Sequence, residues 1–178
     1  VSRDGASQVM LGYSPGIAAK MYLLRPCMRK LVATLEKLVP GSQVVLRDEP
    51  DCGKLAAHGA SYSLQGGRQI VDPRMPTSAC HKLAAHLYAM RGVDTIPKDL
   101  RIATGYYLLT DNLWRQHSWN VTGRGSAARV VMLVTEPLGG ALQALWGVTL
   151  TQKESNAAFR QEFGIAPGVH KNRILRQH

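Results

Sequence analysis

At 178 residues, with 45% apolar and 19% charged side chains, the chain has globular proportions and reads as a single domain over 1–178, which excludes wholesale disorder and a multidomain assembly. Lys and Arg number 22 against 12 Asp and Glu, a formal charge of +10 that suits an anionic partner. That means an acidic protein or peptide substrate, or weak non-specific nucleic acid, because no block of five or six like charges forms a dedicated tract.

No run of 18 apolar residues occurs, and no charged n-region precedes an apolar h-region, so the sequence predicts no transmembrane segment and no signal peptide. The expected location is the cytoplasm, or delivery by a signal-peptide-independent route. Cys27, Cys52 and Cys80 are odd in number and lack a C-x-x-C pair, which predicts reduced thiols and argues against a disulfide framework or a zinc ribbon. Cys27, Cys52, His58, His81 and His86 can be assembled into a metal site on paper. His81 and His86 are five apart, however, where a shared helical face needs three or four, so neither metal nor cofactor is expected.

In chain order, residues 1–13 have no period and read as a tail. Ser14-Pro15 is a helix start, and Pro26 interrupts the pattern. Met28, Leu31, Val32, Leu35, Leu38 and Val39 then hold one helical face up to Pro40-Gly41. Gln43 to Arg47 is a short strand candidate, and Asp48 to Gly67 reads as loop with one strand around Tyr62. Ser78 is a suitable N-cap for a helix carrying Leu83, Ala84, Leu87 and Tyr88, which stops at Arg91-Gly92. From Arg101 the period drops to two, predicting antiparallel strands at 102–109, 113–121, 129–135 and 144–150, the first two turns marked by Asp111-Asn112 and 122–125. Thr151-Gln152-Lys153-Glu154 is a capping box that returns the chain to helix until Gly164. Beyond Pro167 the sequence reads as loop or a last short helix.

This order predicts an α+β fold with a Cys-bearing helix packed on an antiparallel sheet, between N-terminal helices and a C-terminal helix. Cys80 falls in the first turn of its helix, where unpaired N–H groups and the positive end of the macrodipole favour a thiolate. Strand alternation sets Arg115, His117 and Trp119 on one face, so His117 is the candidate imidazole partner. Glu136, after the next strand, is the candidate orienting carboxylate, with Asn120 as the alternative. Each residue also has a structural reading: a small buried thiol, a core histidine between tryptophans, a solvated strand end.

A Cys-led helix, then His117-Ser118-Trp119 in a β-meander, then an acid after the next strand, resembles the papain-like and transglutaminase-like cysteine hydrolases, with residues 78–137 as the catalytic core. The string from Gly105-Tyr106-Tyr107-Leu108 through Asp111 to Trp119 is similar to a bacterial family with the same arrangement. The resemblance implies a papain-like fold and a thiol-dependent enzyme acting on an amide: a peptidase, a glutamine deamidase or a transglutaminase, the small basic form being compatible with a bacterial effector or toxin. In it Cys80 attacks, His117 moves the proton and Glu136 or Asn120 orients the ring. His81 stands where transglutaminase-like members usually carry an aromatic residue. A competing resemblance lies in Phe159-Arg160-Gln161-Glu162-Phe163-Gly164-Ile165-Ala166-Pro167, similar to the closing segment of AraC-type regulators. It implies DNA binding, although that family uses two helix-turn-helix units and 144–150 reads as strand.

Overall fold

A computed structural model describes residues 25–175 except 48, 50, 75–78 and 136–140. The expected tail, the helix start at Ser14-Pro15, the Ser78 cap and Glu136 lie outside the described residues. Helix α1 spans Pro26–Leu38 and buries Met28, Leu31, Val32 and Leu35, the face that the period marked. Pro26 is the first residue of this helix, where no intrahelical N–H donor is needed. A second helix, α2 (Cys52–His58), occupies part of the stretch expected to be loop. Its seven residues are too few to show a period, and it is held by burial of Cys52 and Leu55.

Cys27 and Cys52 form a disulfide that ties α1 to α2, which corrects the expectation of reduced thiols. Their Cα atoms are 5.7 Å apart across a sequence separation of 25. That proximity comes from α1 packing beside α2, which Cys spacing does not reveal. Cys80 is the free cysteine.

The sheet has seven strands: β1 (Gln43–Val44), β2 (Ala60–Tyr62), β3 (Arg68–Val71), β4 (Arg101–Leu109), β5 (Leu113–Thr122), β6 (Arg129–Val134) and β7 (Leu142–Thr149). They run in the order β2-β7-β4-β5-β6-β3, with β1 beside β5. The four long strands are antiparallel neighbours as expected. The sheet as a whole is mixed, since β1 lies parallel to β5 and β3 parallel to β6. The β-meander therefore stands close to its predicted boundaries, and the α+β class holds, while the short flanking strands depend on long-range pairing.

The chain length between β2 and β3 dictates the sheet's shape. A flat path of six strands is about 24 Å wide, and the six residue steps from Tyr62 to Arg68 span at most about 20 Å. The sheet must curl to bring its two ends together. Inside the curl lie Trp119, Val121, Val130, Met132 and Leu145, with Tyr62 and Tyr107 against them. Gly147 on β7 belongs to this arrangement: a Cβ there would meet Thr104 O at 2.2 Å and the Trp119 ring at 2.8 Å. Only a residue with no side chain lets the indole lie across the strands.

The outer face of the curl carries the helices. Helix α3 (Cys80–Ala89) buries Leu83, Ala84, Leu87 and Tyr88, and its cap position is Ala79, which makes no side-chain cap bond. Helix α4 (Gln152–Phe163) starts with the expected capping box and ends at Gly164 with φ +67°. Tyr88 Oη donates to Asn156 Oδ1 at 2.9 Å and joins α3 to α4. The last helix, α5, spans Pro167–Leu175. Leu31, Leu35, Tyr106, Trp114 and Phe159 fill the core between helices and sheet.

Candidate active site

Strand β4 occupies one edge of β5 from Trp114 to Val121. The other edge is shared: β1 pairs only at Leu113 and Trp114, and β6 only from Asn120 to Thr122. Among the described residues, β1 and β6 leave positions 115–119 of β5 outside their ladders on this edge, a gap between the two where backbone groups need other partners. The first residue of α3 supplies one, because the Ser118 N–H donates to the Cys80 thiol. The thiol also meets its own N–H and that of His81, the free donors of the helix start. Burial still dominates and pushes the Cys80 thiol above its ordinary value, with the three N–H groups and the Arg47 charge acting against it.

His117 lies one residue along β5 from Ser118 and so on the opposite face, inside the curl. Its ring centroid is 4.5 Å from that of Tyr107 and is stacked at 6.3 Å from Trp119. Burial, reinforced by the nearby His81 ring, pushes its pKa down to about 3, so the imidazole is neutral. Tyr107 connects the two candidates, since its phenol packs on His117 and feels the charge that a Cys80 thiolate would carry. Burial raises the phenol's pKa, which keeps it a hydrogen-bond donor at neutral pH. Among the described residues no hydrogen bond joins the Cys80 thiol to the His117 ring. Thiol and imidazole are both neutral at rest.

The two candidates for the orienting group fare differently. Glu136 lies outside the described residues, two positions beyond the end of β6 at Val134. Asn120 is fully buried on the helix side of β5, where its Nδ2 donates to Ala84 O at 2.9 Å. That bond anchors α3 to the sheet, on the face away from His117.

Three residues beside the candidates, His81, Tyr107 and Ser118, were given no catalytic role from the sequence. His81 Nδ1 is 2.7 Å from Ser118 Oγ, and Ser118 Oγ donates in turn to Thr104 Oγ1 at 3.3 Å. Burial keeps the His81 ring below its ordinary pKa, opposed by the Glu162 charge and assisted by that of Arg47. Tyr107 and Ser118 carry a weak sequence signal, because alternation places Tyr107 on the His117 face and Ser118 on the helix face. Ser118 works mainly through its backbone, which a sequence pattern does not report.

Among the described residues, no three His, Cys, Asp or Glu gather closely enough to hold a metal ion. His86 and His170 approach to 3.1 Å as a pair between α3 and α5, with Phe159 and Phe163 beside His170. No helix among the described residues is long and apolar enough to cross a membrane. Comparison with known proteins gives no match, whether to a family model, a curated protein or a solved structure.

Proposed function

We propose that the protein is a papain-like, thiol-dependent enzyme that hydrolyses or transfers the acyl group of an amide. The observation that carries this reading is the placement of the Cys80 sulfur in the gap of β5, held by three backbone N–H groups beside the Tyr107–His117 stack. Those donors stabilise negative charge on sulfur, and the thiol stands at a helix start. In the reaction, the Cys80 thiol gives its proton to His117 as sulfur attacks the amide carbonyl. His117 then passes the proton to the departing nitrogen, leaving a thioester. Water or an amine takes the acyl group and restores the thiol. The N–H of Cys80 and the Tyr107 hydroxyl are the donors for the oxyanion. An imidazole pushed down to about 3 is a weak base, so Glu136 is assigned the role of raising it during turnover.

The test uses a glutamine-containing peptide library with mass spectrometry to read peptide cleavage, ammonia release and acyl-enzyme. Cys80→Ala and His117→Ala should each lower turnover by at least about a thousandfold, and Glu136→Gln by less. Turnover unchanged in Cys80→Ala would overturn the assignment.

A DNA-binding regulator is the second reading, favoured by the helix pair α4 and α5 joined through Gly164. A single such pair would have to carry it, because Leu142–Thr149 is a central strand and Phe159 is buried in the core.

A further inference from the structure

On the helix side of β5, a cavity of about 260 Å³ opens directly behind the Cys80 gap. Ser118 and His81 form its wall toward the thiol, so one residue of β5 separates the cavity from the sulfur. Its apolar side is made by Ala85, Ile102, Leu150 and Ala158, and its polar side includes the carboxyl groups of Glu49, Asp51 and Glu162. No Lys or Arg lines it among the described residues. Glu49 is only 4% exposed and is fixed in place, accepting from Gln116 Nε2 at 2.7 Å and from the Asp51 N–H at 3.2 Å.

Tyr106 lies on the sheet face that lines the cavity, and its side chain is directed at the wall formed by Glu49 and Gln116. Its hydroxyl is completely buried beside the Gln116 side chain.

We propose that this cavity binds an aliphatic chain ending in an ammonium or guanidinium group, and so presents a cationic substrate arm to Cys80. The assignment rests on the thiol-enzyme reading for its consequence, not for the binding itself. The volume is below that of pockets built for drug-sized ligands and matches a single extended side chain. An apolar wall with carboxylates at one side suits an amphipathic stem with a charged head. The chain's +10 charge favours acidic partners at long range, yet surface charges are screened beyond about 8 Å at physiological salt. Inside the cavity three carboxylates stand against the single Arg47 charge felt at its His81 wall. Two sources share this chemistry: a Lys or Arg side chain of a peptide, and a free alkylamine acting as acyl acceptor.

The experiment uses the full chain carrying Cys80→Ala, so that binding is read without turnover. Isothermal titration and amide NMR are run with N-acetyl-lysine N-methylamide, with cadaverine, and with pentanol and pentanoate as neutral and anionic controls. At least one cation should bind ten times or more tightly than either control, and the one that binds identifies the source. Adding Asp51→Asn and Glu162→Gln, both at exposed positions, should weaken that binding at least tenfold with the melting temperature unchanged. Equal binding of pentanol or pentanoate, or cation binding untouched by the two substitutions, overturns the inference. Neither result bears on whether Cys80 forms an acyl-enzyme, so the two proposals fail separately.

Discussion

The protonation states of Cys80 and His117 set how the site behaves with pH. Burial raises the thiol and lowers the imidazole, so both are neutral at pH 7 and the resting protein holds little thiolate–imidazolium pair. Alkylation of Cys80 by iodoacetamide should therefore accelerate with pH through and beyond the ordinary thiol range, about 8.5, with no plateau near neutrality. A rate constant already level between pH 5 and 7, read by peptide mapping, would show a preformed ion pair and overturn this assignment. His117 also links pH to stability. Its folded pKa of about 3 lies below the 6.5 of an exposed ring, so the unfolded chain takes up the proton first as pH falls. This contribution is complete above about pH 6.5 and should be lost progressively toward pH 3. Urea unfolding of His117→Phe should show a shallower decline across that window than the parent chain, and an identical decline would place the effect elsewhere.

At the scale of elements, the disulfide between α1 and α2 replaces a core contribution that the seven-residue α2 cannot supply alone. Closing a loop of this separation restricts the unfolded chain by about 3.5 kcal/mol on the chain-entropy account. The Cys27→Ser, Cys52→Ser double variant should lose stability of that order in urea, and Cys80 labelling in the native state should be unchanged. A coupled rise in Cys80 labelling would mean that α2 helps seat α3. The elements legible in the sequence were those whose signal is local: the apolar face of α1, the alternation through β4, β5, β6 and β7, and the Thr151 capping box. Those missed depend on distant partners. Helix α2 is too short for a period and is held by Cys27, and β3 exists because β6 offers it a parallel edge. Cys80 was legible as a helix start and His117 as a strand position. The gap beside β5 that seats Cys80 against Ser118 was not, because it arises where β1 and β6 stop.

For the whole molecule, the curled sheet divides the chemistry between two faces. His117 and Tyr107 lie inside the curl, the cavity with its three carboxylates lies under the helices, and Cys80 sits in the opening of the β5 edge between them. This division also separates the two functional readings. A regulator needs its basic residues gathered on a groove-reading helix, whereas here α4 places Phe159 in the core and balances Lys153 and Arg160 with Glu154 and Glu162. The excess of Lys and Arg is spread along the chain rather than focused on that helix. Duplex DNA should therefore be bound weakly and without sequence preference, through phosphates alone, since counterion release rewards any cationic surface. Fluorescence anisotropy over a series of salt concentrations measures this. Affinity should fall steeply between 50 and 200 mM salt, by about tenfold or more, and competitor DNA of unrelated sequence should displace the probe equally well. Substituting Arg160→Ala on α4 should change the affinity no more than removal of a single phosphate contact. Tight binding at physiological salt that survives unrelated competitor and is abolished by Arg160→Ala would instead make α4 a recognition helix, and the arrangement around Cys80 would then be structural.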